Sequence, residues 1–173
     1  MDTKELGIEL AKLIEEMVNQ SVDDICSALG ELSQNIFLEY ISLLLWIVTK
    51  EASIALPTRV IQSTIDATTY ATFLSLEEAG IRKLAGDFNQ NSFEDFICNR
   101  FDTYYQAWRA FPIEDVQLSE VTVAHNFIVC CFADEAEYRE FFPNPKDYTA
   151  HIRCVLNHYR RFSERAKSVL SRF

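Results

Sequence analysis

The sequence predicts an all-α fold: a compact helical bundle of about six to eight helices, forming a single domain over residues 1–173. Two observations carry this prediction. Glycine and proline number only four each, too few for the many tight turns of an all-β fold. Long segments place apolar residues at helical spacing, and apolar residues make up 49% of the chain, which is ample for a folded core.

The first helix is predicted to start in the segment Asp2-Thr3-Lys4-Glu5, where an acid follows the cap by three residues, as in a capping box. Apolar residues then follow at helical spacing: Leu6, Leu10, Leu13, Ile14 and Met17. Ser21 is predicted to cap a short second helix over residues 22–29, with Gly30 close to its end.

The most apolar segment is predicted to form a central helix from about Gln34 to Ile54, ended by Pro57. Its uncharged run, Tyr40 to Thr49, is ten residues long, whereas a membrane span needs roughly 20 apolar residues. No membrane span is therefore expected. On a helical wheel the polar residues share an arc of about 100° with one tryptophan: Glu39, Ser42, Trp46, Thr49, Lys50 and Ser53. This pattern predicts a bundle core with one narrow polar edge, solvated or ion-paired.

Four further helices are predicted from their start signals, which are Pro57 or Thr58, Ser92, Ser119 and Asp147. Residues 87–92 are the predicted loop before the second of these. That second helix carries an aromatic stripe, from Phe93 to Trp108, and Pro112 ends it. The third is predicted to run toward Phe141 and to be closed by Pro143 and Pro145.

The charge is acidic and unevenly distributed. The formal net charge is −10, which disfavours binding to DNA. Residues 1–150 contain 10 basic and 25 acidic residues, whereas residues 151–173 contain six basic and one acidic residue. This polarity predicts a basic face on the last helix, with Arg160, Arg161 and Arg165 as interaction residues. The face either pairs with the acidic body or binds an acidic partner, including a second copy in a homodimer.

The five cysteines show no spacing typical of a disulfide framework, and acidic residues occupy the N-terminus where a signal peptide needs an apolar core. Reduced thiols in a cytoplasmic protein are therefore predicted.

One cluster has the residue types of a metal site. His151, Cys154 and His158 share an arc of about 60° on a helix. The candidate fourth ligand is His125 or an acid within residues 133–140. Imidazole and thiolate both suit zinc. The alternative is a half-buried helix edge without metal, because the two histidines lie roughly 10 Å apart along the helix axis. Cys154 and His158 also form a possible nucleophile–base pair, although nothing indicates an oxyanion hole.

No catalytic or cofactor motif is present, so neither an enzymatic activity nor a cofactor is predicted. The sequence instead favours a non-catalytic adaptor or regulatory protein that binds a protein partner or itself. The alternative is a metal- or small-ligand-binding protein, using either the histidine and cysteine cluster or the aromatic-lined core, where a small apolar ligand would bind.

Overall fold

A computed structural model describes residues 2–29, 34–79, 89–132 and 145–173. Within these ranges the chain forms six α-helices, one short 3-10 helix and no strand, which confirms the predicted all-α bundle. The 3-10 helix, Ile113–Asp115, precedes the fifth α-helix. The α-helices are α1 Thr3–Leu29, α2 Gln34–Ala55, α3 Thr58–Glu78, α4 Gln90–Trp108, α5 Val116–Cys130 and α6 Pro145–Leu170.

Helix α2 is the centre of the bundle and contacts each of the other five helices. Leu43, Leu44 and Ile47 have no exposed surface. Full burial of such a side chain contributes about 1.5–3 kcal/mol. The predicted central helix is confirmed, including its end just before Pro57.

The polar edge of α2 is buried, in contrast to the solvated edge that the helical wheel allows. Glu39, Ser42 and Thr49 are each less than 10% exposed, and Ser53 alone among the edge residues is exposed. Helices α4 and α6 pack against α2 and bring polar side chains of their own to this edge. Of the two predicted alternatives, a solvated edge or an ion-paired edge, the structure shows the ion-paired edge.

The aromatic stripe of α4 packs against Trp46 of α2. The rings of Tyr104, Tyr105 and Trp108 lie edge-on to the Trp46 ring at centroid separations of 5.8, 5.7 and 6.0 Å. Edge-to-face pairs of this kind stabilise by about 0.5–1.5 kcal/mol beyond the burial of their area. These three aromatic residues of α4 therefore pack as part of the core of the bundle.

The start of α1 confirms the predicted capping box. The Glu5 backbone N–H donates to Asp2 Oδ1 at 2.8 Å, and the Asp2 N–H donates to Glu5 Oε2 at 3.1 Å. The predicted break at Ser21 is wrong, because α1 continues to Leu29. Ser21 is fully buried, and Ile25 beyond it has no exposed surface. Packing of the last two turns into the core outweighs the capping preference of serine.

Two predicted helix starts are displaced by three residues. Asn89 caps α4, and Ser92 is the third helical residue, bonded back to the Asn89 backbone in a capping box. The predicted loop is therefore wrong over residues 90–92, which are helical; Asn89 precedes the helix, and residues 87 and 88 lie outside the described residues. Helix α5 begins at Val116, directly after the 3-10 helix, and not at Ser119.

The end of α5 and the start of α6 also differ from the prediction. Helix α5 ends at Cys130, and the predicted continuation toward Phe141 and Pro143 lies outside the described residues. Helix α6 begins at Pro145, two residues before Asp147. Proline suits the first helical position because its missing N–H would have no intrahelical partner there.

The threonine-rich helix α3 packs on α1 through small side chains. Thr64, Thr68 and Thr72 are buried, and each hydroxyl donates to the carbonyl four residues earlier, at 2.8–2.9 Å. The hydroxyls are thus satisfied inside α3, and the helices approach closely. A Cβ atom built on Gly7 of α1 would lie 2.5 Å from Ala67 Cβ and 2.9 Å from the Thr68 nitrogen.

Gly7→Ala is expected to destabilise the protein by about 1–3 kcal/mol, because the new methyl group forces α1 away from the α3 backbone. This loss of stability is expected even though alanine is favoured over glycine in a helix interior by about 1 kcal/mol. Urea unfolding measures the change. Ser27→Ala, at an exposed α1 position, is the control and should be neutral or stabilising. A Gly7→Ala protein as stable as the parent would contradict the close contact.

Candidate functional site

The candidate metal ligands lie on two helices. His125 is on α5, and the other three candidates are on α6. The candidate acids within residues 133–140 lie outside the described residues. The His125 Nδ1 atom contacts the hydroxyl of Tyr148, in the first turns of α6, and the two rings lie edge-on with centroids 5.8 Å apart. Within the ranges given above, no three histidine, cysteine or acidic side chains are grouped closely enough to hold a metal ion. Zinc binding by these residues stays a prediction.

The Cys154–His158 pair lies where α6 faces α1 and α2. The His158 ring is edge-on to Tyr40 at 6.3 Å, and its buried Nδ1 atom has no hydrogen-bond partner in the described part of the chain. Burial lowers the pKa of His158 and raises the pKa of the Cys154 thiol. A cysteine nucleophile needs the opposite shift. The surroundings of Cys154 therefore favour the protonated thiol.

The three candidate interaction arginines contact acidic and amide groups of the same chain. Arg160 pairs with Glu120 of α5 at 2.7 Å, and Arg165 pairs with Glu16 of α1 at 2.6 Å. Arg161 donates to the Gln20 side chain at 3.2 Å. Such exposed pairs contribute about 0–1 kcal/mol each. Binding of an acidic partner by these arginines stays a prediction, and it would compete with these internal contacts.

A bidentate ion pair is buried between α2 and α4. Arg100 Nε donates to both Glu39 oxygens, at 2.6 and 2.7 Å, and the Glu39 residue is 1% exposed. Burial raises the pKa of the Glu39 carboxyl, although the Arg100 guanidinium acts against this rise. The hydrogen bonds to Glu39 raise the pKa of Arg100. The pair joins α4 to the centre of the bundle.

A second buried network joins α2 to α6. Lys50 Nζ donates to the Tyr159 hydroxyl at 2.8 Å and lies 2.6 Å from Glu51 Oε1. Ser163 Oγ donates to the same Glu51 oxygen at 2.6 Å. Lys50 Nζ also lies 4.5 Å from the centroid of the Trp108 ring, and burial lowers its pKa. Because these charges are paired and covered, they act as packing contacts between helices.

Helix α5 carries buried apolar residues on one face and exposed apolar residues on another. Its inner face is buried and consists of Val123, Ala124, Phe127 and Ile128. On its outer face Leu118, Val121 and Val129 are 47%, 39% and 39% exposed. At 100° per residue these three fall within an arc of about 80°. His125 falls within the same arc and contacts Tyr148 of α6, so the exposed apolar side chains flank this histidine.

The sequence of α5 contains a signal for this surface, namely its low content of charged residues. Glu120 is the only aspartate, glutamate, lysine or arginine among the fifteen residues of α5, which also include His125. Glu120 points away from the outer face and is held by Arg160 of α6. We call Leu118, Val121 and Val129 the α5 outer face; no aspartate, glutamate, lysine or arginine of α5 lies on it.

None of the helices in the described ranges combines the length and the apolar character that crossing a lipid bilayer requires. No protein-family model matches the sequence, and neither a curated protein nor a solved structure matches it.

Proposed function

We propose that this chain is a non-catalytic interaction protein that associates with a second copy of itself through the α5 outer face. The observation that carries the proposal is the exposure of Leu118, Val121 and Val129 on a helix whose other face is already buried. Covering these side chains removes apolar surface from water, which favours association.

The net charge restricts where a second copy can bind. Two molecules of net charge −10 repel each other, so stable contact requires patches where charge is absent. The α5 outer face meets this requirement. Two α5 helices that pack antiparallel about a two-fold axis place Leu118 of one copy against Val129 of the other, twice, which is the self-complementary arrangement of an isologous dimer.

The expected dimer is weak and reversible. The α5 outer face, from Leu118 to Val129, is about 16 Å long at 1.5 Å per residue. A contact of this length buries less than the roughly 800 Å² per partner of a standard interface. Association is therefore expected to depend on concentration, as suits an adaptor or regulatory protein that exchanges partners.

The environments of the five cysteines bear on the compartment in which this chain is located. Cys26, Cys98, Cys130, Cys131 and Cys154 are all free. Burial raises the pKa of four of them: Cys26, Cys130, Cys131 and Cys154. Unactivated, unpaired thiols are typical of structural cysteines in a reducing compartment. We accordingly propose a cytoplasmic location.

Leu118→Glu is expected to abolish self-association, since in the antiparallel pair it places an unpaired carboxylate against Val129 of the other copy. Combining Leu118→Glu with Val129→Lys should restore it, because each glutamate then faces a lysine. Sedimentation velocity over a concentration series measures the monomer–dimer equilibrium, and circular dichroism confirms folding. Ile54→Glu is the matched control, since Ile54 is 74% exposed on α2, and it should leave association unchanged.

Three outcomes oppose the proposal. A parent protein that is monomeric up to its solubility limit excludes the second copy as the occupant. A dimer that survives Leu118→Glu but is lost in Arg160→Glu with Arg161→Glu, without a change in stability, places the contact on the basic face of α6 instead. If Ile54→Glu weakens self-association as much as Leu118→Glu does, this would also count against a specific role of α5.

A further inference from the structure

A cleft separates α3 from α4 on a surface distinct from the α5 outer face. The two helices meet where the Phe73 and Phe93 rings pack at 5.8 Å. Beside this contact they leave a cleft of about 460 Å³, with Thr49 of α2 among its lining residues. Clefts of roughly 300–1,000 Å³ are the usual size of small-molecule sites.

The cleft joins an apolar wall to acidic groups. Ile97 and Phe101 line it from α4, and Tyr70 lines it from α3 with 48% of its surface exposed. Asp66 and Glu94 line it from opposite helices, and none of the described residues that line it is basic. Each carboxylate accepts one hydrogen bond at 2.7 Å, from the glutamine four residues earlier, and neither is ion-paired in the described part of the chain.

We propose that this cleft binds a small organic amine. The apolar body of the ligand packs against Ile97 and Phe101, and its ammonium group lies between Asp66 and Glu94. An ammonium near the Tyr70 or Phe101 ring also gains from cation–π attraction. An anion of the same shape meets two like charges at the same place and is rejected.

Cys98 supplies a reporter inside the cleft. It lines the cleft from α4, and it is the one exposed thiol among the five. A ligand that fills the cleft covers Cys98 and slows its reaction with a neutral alkylating reagent such as iodoacetamide. The rate falls in proportion to the fraction of empty protein, roughly tenfold at an amine concentration ten times the dissociation constant.

The experiment compares three probes of similar shape: phenethylamine, phenethyl alcohol and phenylpropionate. The rate of Cys98 alkylation is followed by intact mass and peptide mapping at increasing probe concentration. Phenethylamine is expected to slow the reaction in a saturable manner, at lower concentration than the alcohol, while phenylpropionate leaves the rate unchanged. Asp66→Asn with Glu94→Gln should remove the difference between amine and alcohol.

A matched control separates local charge from the net charge of the protein. Glu15→Gln with Asp23→Asn removes two exposed acids from α1, so the net charge changes equally, and the preference for the amine should persist. The proposal is overturned if phenethylamine does not slow alkylation at any concentration that preserves the native circular dichroism spectrum. It is also overturned if all three probes act alike, or if the α1 pair abolishes the preference as fully as the cleft pair does.

Discussion

Replacing Arg100 with leucine is expected to destabilise the protein by about 3–5 kcal/mol at neutral pH, because it leaves a buried carboxylate without its counter-charge. Glu39 is 1% exposed and receives two hydrogen bonds from the Arg100 Nε atom. Leucine supplies neither the charge nor the donors. Urea unfolding at neutral pH measures the loss.

The loss should depend on pH, with a sign set by the raised pKa of Glu39. A carboxyl whose pKa is higher in the folded state contributes stability below its unfolded pKa, about 4.3, and loses that contribution as pH rises through the folded pKa. Arg100 opposes the rise in the Glu39 pKa, so its removal raises this pKa further. The deficit of Arg100→Leu should therefore be smallest in acid and grow toward neutral pH.

A double replacement separates the charge from the packing. Glu39→Met combined with Arg100→Leu removes both charges, and it should be far less destabilising than Arg100→Leu alone, since apolar groups often replace a buried ion pair at little cost. A double variant as unstable as the single one, or a deficit of Arg100→Leu that does not change with pH, would show that Glu39 is not the group responsible.

Leu44→Asp is expected to prevent stable folding. An unpaired charge in a dry core costs several kcal/mol, and whole-domain stabilities are only about 5–15 kcal/mol. Leu44 has no exposed surface, and Leu45→Asp, at 2% exposure, should act alike. Thermal unfolding followed by circular dichroism, with the yield of soluble protein, measures the effect.

Ser42→Asp provides the sharper comparison on the same helix. The helical wheel places Ser42 on a polar edge and predicts a mild effect, whereas the structure buries it completely beside Glu39, whose backbone carbonyl accepts its hydroxyl at 2.8 Å. We now expect Ser42→Asp to be severe. Ser53→Asp, at the exposed end of the same edge, should cost no more than about 1 kcal/mol. A melting temperature of Ser42→Asp close to that of Ser53→Asp would contradict the burial of this edge.

Local chemistry in the sequence was sufficient to predict the all-α fold and the central helix of the bundle. The Asp2–Glu5 capping box, the stop at Pro57 and the apolar run of α2 each depend on residues within one or two turns of one another. The physical rules that act over such distances, namely capping, the fixed φ of proline and helical periodicity, are the same in every fold. Ser21 shows the limit of these signals, because the preference of serine for a cap is weaker than the packing of the residues around it. At Ser92 a neighbouring capping residue, Asn89, is used instead.

The surroundings of each side chain were decided only by the tertiary structure. The polar edge of α2 is buried because Arg100, 61 residues along the chain from Glu39, supplies its counter-charge. The bonding of Arg160 to Glu120, and the α3–α4 cleft that contains Cys98, likewise depend on how separate helices pack. Helical periodicity shows which residues share a face, but the direction that the face points depends on contacts between distant segments, which a local pattern does not encode.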